Sequence, residues 1–387
     1  MISKEELKLL WPFYMEAFLG TVLFIMIPFM VVYFSSLGFS ATQIGFLLAA
    51  MPLASLIFEI PTGAIADLYG RKFSTILGWG LEGLLCISLF FVSGFYSIAI
   101  ILFLIGFSGT LVSGSYEAWA VDLAGKLTNR YFATKQSLYN LAFIFSGILG
   151  AVLVARFGIS IIWPVSGVAL LISVFFLSFG KESFKPEKVK IKESFKRVLK
   201  QTKEAINYSY KHPVLFYLLL ISTVTVLFSS VNSFLSWTPL LEEYGFPASS
   251  WGYIWSAAGL LGVIVPLFSL KVKKMKKALI FSSIGLLLYC LGVFFSSGLY
   301  FAIGMILFFF VLADFESPIW KTYMHSFIPS KTRATVGSID GLLASIVAII
   351  ALPLIGFLID FLGARTTILA SGLLMVICLI FYSRIRE

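Results

Sequence analysis

Glu59-Ile60-Pro61-Thr62-Gly63-Ala64-Ile65-Ala66-Asp67-Leu68-Tyr69-Gly70-Arg71-Lys72 is a polar interruption in an oily chain. Four charges, two glycines and a proline fall within these fourteen residues, and long apolar runs lie on both sides. A polar stretch this short, between two segments that can each cross a bilayer, reads as a tight turn at a membrane surface. Its signs are mixed. A plain cytoplasmic turn needs only Lys or Arg, whereas Asp67 precedes Arg71 by four residues, so this turn can form bonds as well as sit in water.

The rest of the chain explains the setting. Of 387 residues, 59% are hydrophobic and 12% charged, about half the charged share of soluble domains, and the mean hydropathy is +0.98. Apolar runs predict twelve spans at about 11–36, 41–66, 73–94, 96–123, 131–157, 159–180, 212–240, 247–270, 276–296, 299–325, 334–362 and 364–384. Each has the roughly 20 residues a membrane helix needs. Helices are the expected form, because lipid offers the backbone no hydrogen bonds. The polar start, Met1–Leu10, does not have the pattern of a cleavable signal peptide. Cys86, Cys290 and Cys378 lie singly in apolar runs, with no metal-ligand spacing, so neither a metal nor a cofactor is expected.

The net charge of +10 raises nucleic acid as a partner, and its distribution removes that reading. Of the 29 Lys and Arg, 26 fall in the loops and termini on one side of the expected spans; Arg156 and Arg365 lie opposite and Lys321 lies within span 10. Such bias sets orientation and puts both termini in the cytoplasm. The expected location is the plasma or inner membrane, with the lipid bilayer as partner and a monomer as the working unit. Residues 181–211 are polar and basic, with Phe195, Val198, Leu199, Thr202, Ala205 and Ile206 at helical spacing. They read as an amphipathic helix on the inner surface, linking one six-helix bundle over 1–180 to another over 212–387.

The two halves repeat. Gly38-Phe39-Ser40-Ala41-Thr42-Gln43-Ile44-Gly45 opens span 2, and Gly245-Phe246-Pro247-Ala248-Ser249-Ser250-Trp251-Gly252 opens span 8, with Gly, Phe, Ala and Gly in register. Tyr116-Glu117 corresponds to Phe315-Glu316, and Ala133-Thr134 to Ala334-Thr335. Three ordered matches predict a duplicated six-span unit, and an even number of spans keeps the copies parallel, a known transporter plan.

Gly63, Asp67, Gly70, Arg71 and Lys72 now fit a pattern. The stretch resembles the major facilitator superfamily signature, G-x-x-x-D-x-x-G-R-[RK], between spans 2 and 3, at all five defining positions. The Glu-Ile-Pro-Thr-Gly lead-in is similar to drug-efflux and related proton-coupled branches. The resemblance implies an all-α membrane protein of two parallel, pseudo-symmetric bundles that rock about a central cavity. It also implies that Gly63, Asp67, Gly70, Arg71 and Lys72, with Glu59 above them, latch the bundles in one state. Three departures stand out. The 8–9 loop, Lys271 to Lys277, has neither Asp nor Gly-Arg; Phe103–Asp122 has no Arg; and Ser146-Gly147-Ile148-Leu149-Gly150 lacks the family's span 5 proline.

Ionisable groups at bilayer depth mark candidate sites. They are Glu16, Glu59, Glu82, Glu117, Asp314, Glu316 and Asp340 against one cation, Lys321. Apolar surroundings favour a neutral acid over a carboxylate, so this imbalance suits proton coupling or cation binding. Glu117 and Glu316 hold matching places in the two halves and form the leading pair; Glu16, Asp314, Asp340 and Lys321 complete the proton and substrate candidates. His212 and His325 read as surface-level groups. Tyr14, Tyr33, Tyr116, Trp119, Trp237 and Trp320 are candidates for holding aromatic or cationic solutes by cation–π contact. Prolines within spans, among them Pro28, Pro266 and Pro318, free backbone carbonyls and permit bends.

A membrane-embedded enzyme would leave the signature loop unexplained, and no HExxH, GxSxG or P-loop pattern occurs. The expected function is secondary active transport of a small molecule by alternating access: proton-coupled efflux of hydrophobic or cationic compounds, or else proton-coupled symport of a polar solute.

Overall fold

The computed structural model describes residues 4–182, 213–327 and 333–385. The regular elements among them are all helical, as apolar segments in lipid require. The amphipathic linker beyond Glu182 and His212 lie outside the described residues. Ten stretches are long and apolar enough to cross a membrane. One of them, Phe95–Phe157, runs 63 residues and holds expected spans 4 and 5. Expected span 3 is the 19-residue helix Arg71–Leu89. Each of the twelve expected spans thus coincides with helix.

The opening stretch is less of a turn than its composition predicts. Helix Ala41–Tyr69 (span 2) runs straight through Pro52, Pro61 and Gly63. The reversal narrows to Gly70, at φ 102° and ψ 151°, and span 3 begins at Arg71. In a medium without competing water the helix keeps its hydrogen bonds as far as it can, and only a glycine takes up the final backbone angle.

Span 1 is the most irregular. Helix Lys4–Met15 passes into a π-helical turn, Glu16–Gly20, and a short helix, Thr21–Leu23. The chain then breaks and resumes at Ile27–Phe29 and Met30–Ser36. Pro28 has no N–H for the Phe24 carbonyl, four residues earlier. Ser146 Oγ supplies the missing donor at 3.2 Å, and Ser166 Oγ accepts the Met26 N–H at 3.0 Å. Hydroxyls from spans 5 (Thr128–Phe157) and 6 (Ile162–Ser178) therefore repair the broken backbone.

The described residues form two compact units. The first draws on Met1–Tyr33, Ala50–Arg197 and Ala248–Gly259; the second draws on Phe34–Ala49, Val198–Pro247 and Leu260–Glu387. Each unit includes one short segment from the opposite half of the sequence, and those segments fall on the repeated motif. Gly38 and Gly245 have φ of 84° and 70° and make the turn into spans 2 and 8. Gly45 and Gly252 make close approaches. In the second unit Gly45 abuts the backbone of Leu352 and Pro353 in span 11 (Arg333–Leu362), while Gly356 abuts Ala41. In the first unit Gly252 abuts Gly147 and Ala151 of span 5. The repeat marks two equivalent helix crossings that leave no room for a side chain.

The core of the first unit is aromatic: Phe13 and Tyr14 of span 1 pack with Tyr116 and Trp119 of the helix Ser115–Ala124, which ends span 4, and with Tyr131 and Leu177. In the second unit Trp237 donates its indole N–H to the Tyr289 hydroxyl at 3.0 Å and meets Phe309 edge-on at 5.3 Å.

Candidate functional site

The signature bases are anchored locally. Arg71 forms an ion pair with Asp122 near the end of span 4 and donates to the Ala118 carbonyl at 3.1 Å. Lys72 Nζ donates to the carbonyls of Ser178 and Gly180, both at 2.7 Å, and the Lys72 N–H donates to Glu182 Oε2 at 2.8 Å. Lys72 thus caps the C-terminal end of span 6, where the helix leaves carbonyls unpaired and carries partial negative charge. Trp119 fixes the same segment by donating its indole N–H to the Lys181 carbonyl at 2.7 Å. Ser113 donates to Glu59 at 2.9 Å. Asp67 is half-buried and has no hydrogen bond or ion pair among the described residues. A β-carbon added at Gly63 would meet nothing within 4 Å. The i,i+4 relation of Asp67 to Arg71 is broken by the turn at Gly70, so the expected local bond is replaced by the pair with Asp122.

The carboxylates sort into two settings. In the first unit, Glu16 opens the π-helical turn and accepts a hydrogen bond from the Tyr116 hydroxyl. The ammonium of Lys135 lies 4.2 Å above the Tyr116 ring centre and interacts with both Glu16 and Glu117. Spans 1, 4 and 5 thereby bring two acids, a phenol and a cation into one cluster. Beside it, Tyr14 donates to the fully buried Glu6 at 2.7 Å, and Arg130 pairs with Glu6 at 2.7 Å. Glu117 is exposed and Glu82 half-buried.

In the second unit the acids are dispersed. Ser282 of span 9 (Met275–Phe294) donates to the buried Glu316 at 2.6 Å, and Ser222 of the helix Pro213–Val231 (span 7) donates to Asp340 at 2.6 Å. Asp314 lies against Gly262. Lys321 is exposed. The side chain of His325 lies outside the described residues.

Most of the aromatic candidates sit within helix packing. Trp119 has no exposed surface, and Tyr14, Tyr33, Tyr116 and Trp237 are each 5% exposed or less. Trp320 is half-buried, edge-on to Tyr382 at 6.4 Å.

Four residues escape the sequence reading. Lys135 counts there as a loop base, yet it lies in span 5 and joins the acids, so Lys321 is not alone as a helix cation. Asp122 and Glu6 become visible only through their partners. Asp360 accepts the backbone N–H groups of Ala41 and Thr42, at 2.9 and 2.8 Å, and caps span 2. The composition of a loop or span end carries no signal for such pairs.

Known proteins share this fold. The family model described as Major Facilitator Superfamily matches residues 13–352. An uncharacterized MFS-type transporter of Bacillus subtilis, YxaM, is 24% identical over 381 residues, covering 95% of this chain and 93% of the relative. A hexuronate transporter of the same organism is 25% identical, covering 96% and 93%. Among solved structures, the nucleoside transporter NupG superposes with a TM-score of 0.75 at 12% identity, covering 97% of this chain and 98% of that one. A bacterial homologue of the human lysosomal transporter Spinster, in an inward-facing and unoccupied conformation, gives 0.74 at 14%, covering 98% and 97%. These likenesses carry the fold: two bundles of membrane helices. With the family model matched over most of its length, the chain belongs to the Major Facilitator Superfamily and is a multi-pass membrane transporter of a small solute, not an enzyme.

Proposed function

We propose that the chain is a proton-coupled symporter of a small polar solute, with Glu16 as the coupling carboxyl. One observation carries this reading: Glu16 sits on a π-helical turn, a feature concentrated at functional sites, with Tyr116 as its donor and Lys135 beside it. An ionised Glu16 holds the phenol and attracts the cation. A protonated Glu16 releases Lys135 toward Glu117 or toward an anionic group of the solute. That is a two-state element biased by a proton and by a ligand. The name of the hexuronate transporter, a full-length relative, points to polar cargo, and so does the burial of the candidate aromatic rings. Glu117, Glu316, Asp340 and Lys321 remain candidate sites on the solute path. Glu59, Gly63, Asp67, Gly70, Arg71 and Lys72 form the proposed latch. The basic loops support cytoplasmic termini in the plasma or inner membrane, and the bundles 1–180 and 212–387 are the proposed moving bodies.

Efflux of hydrophobic cations is the second reading, favoured by the surplus of carboxylates and by the Glu-Ile-Pro-Thr-Gly lead-in. Proteoliposomes containing a pH-sensitive dye separate the two. Glucuronate, xylose and inosine are the polar probes and ethidium the cationic one. Symport predicts lumen acidification when a polar probe enters, and its loss in Glu16→Gln. Proton movement with ethidium alone, or an unaltered signal in Glu16→Gln, sinks the proposal.

A further inference from the structure

Two prolines break helices at mid-span, and the carbonyls they strand meet different neighbours. Phe24, stranded by Pro28, receives the Ser146 hydroxyl. Gly262 is stranded by Pro266: helix Trp251–Ile264 stops there, and a short helix, Pro266–Ser269, follows. The polar group at Gly262 is the carboxyl of Asp314. A β-carbon placed on Gly262 would lie 3.6 Å from Oδ2 and 3.9 Å from Oδ1. Pro318, within the helix Leu299–Ser326 (span 10), likewise has no N–H for the carbonyl of Asp314 itself.

The cluster is therefore made of acceptors. An ionised carboxylate cannot donate, whereas a protonated one has a single O–H to give. Asp314 has no hydrogen bond or ion pair among the described residues. No Asp, Glu, Lys, Arg or His occurs in Trp251–Ser269. The other elements packed on span 10 bring little charge near it. Span 9 carries Lys276 and Lys277 in its first turn, and Tyr289 and Cys290 farther on. The helix Phe234–Glu242 ends on Glu242, and span 12 (Ala364–Arg384) presents Tyr382 to Trp320. On span 10 itself, Glu316 is taken by Ser282, Lys321 is two turns away, about 10 Å along the axis, and His325 is farther still.

We propose that Asp314 is a proton-binding site that closes the break in span 8: the protonated carboxyl donates its hydrogen to the Gly262 carbonyl, and the ionised carboxylate, acceptor against acceptor, lets it go. Proton uptake from water then stiffens the helix around Val265, and release loosens it. Gly262 is part of the device: a β-carbon there would already touch the carboxyl at ordinary van der Waals distance, so the bare glycine leaves Asp314 room to reach the backbone. Neither the identity of the solute nor the role of Glu16 enters this inference.

Infrared spectra of the full-length protein in lipid nanodiscs, titrated from acid to neutral pH in H2O and D2O, test it. The wild type should show a protonated-carboxyl band that Asp314→Asn removes and Glu16→Gln retains. Pro266→Ala returns an N–H to the Gly262 carbonyl, and Gly262→Ala inserts a methyl; each should move the Asp314 band toward a weaker hydrogen bond. If Asp314→Asn removes no band, the proton is not there. If the band stays in place in both Pro266→Ala and Gly262→Ala, the carbonyl is not its partner. If sodium chloride abolishes the band at constant pH and choline chloride does not, the cluster is a metal-cation site and the proton reading falls.

Discussion

Asp360 and Thr42 are 318 residues apart, yet the Asp360 carboxylate accepts the Thr42 backbone N–H at 2.8 Å and its hydroxyl as well. The acid closes the open N-terminal end of span 2 from the far end of span 11, immediately beside the Gly356–Ala41 contact. A capping acid normally comes from the residue preceding its helix; this one comes from a different span.

Asp360→Ala removes that cap and should lower stability by about 0.5–2 kcal/mol, the usual range for such a loss. Asp360→Asn keeps an acceptor oxygen and should retain most of the stability. Thermal melting of the two variants in one detergent checks the order; equal losses would mean that charge, not capping, is what matters.

The Glu6–Arg130 pair is asymmetric, because the Glu6 side chain is fully buried and that of Arg130 is 43% exposed. Arg130→Ala leaves a buried carboxylate without its cation and should cost on the order of 2–3 kcal/mol. Glu6→Gln leaves Arg130 free to rehydrate and should cost less. Melting temperatures of the two single variants decide this, and the reverse order would show that the pair matters through Arg130 alone.

Gly70 combines a φ of 102° with extended ψ, a region that only glycine enters without strain. Gly70→Ala should cost about 1–3 kcal/mol. It should also disturb the neighbouring Glu182 carboxylate, 3.2 Å from the added carbon. A melting temperature equal to wild type would mean that the turn adopts another conformation at no cost.

Arg71 and Asp122 are both partly exposed, at 24% and 34%, so their coupling should be modest, about 0.2–1 kcal/mol. A double-mutant cycle with Arg71→Gln and Asp122→Asn, read by melting, measures it. Additive losses would show that Arg71 acts through contacts other than Asp122, the Ala118 carbonyl among them.

Spans and repeat were readable in the sequence because hydropathy is a property of composition, and lipid leaves an apolar segment no alternative to helix. The glycines of the repeat were readable for a similar reason: positive φ at Gly38 and Gly245 and the crossings at Gly45 and Gly252 exclude a side chain. The polar pairs were not. Arg71 bonds Asp122 rather than a neighbour in its own loop, and Lys135 looked like a topology signal because a base near a span end has the same composition whether it points to water or to Glu16. The turn in the opening stretch is shorter than its composition predicts for a third reason. Pro61 and Gly63 are turn formers in water, but span 2 carries its helix past both before turning at Gly70.

The π-helical turn Glu16–Gly20 has a consequence for register. One residue more than an α-turn holds shifts the angular phase of a helix by about 100°. Residues before Glu16 and after Gly20 that share a face by α-helical counting therefore do not share one in this chain. Deleting a single residue from this turn would swing Glu6, Trp11 and Tyr14 around the axis together, while leaving the hydropathy profile of span 1 nearly untouched. Insertions and deletions here are thus silent to any comparison based on apolar content, yet they re-aim a whole helix surface.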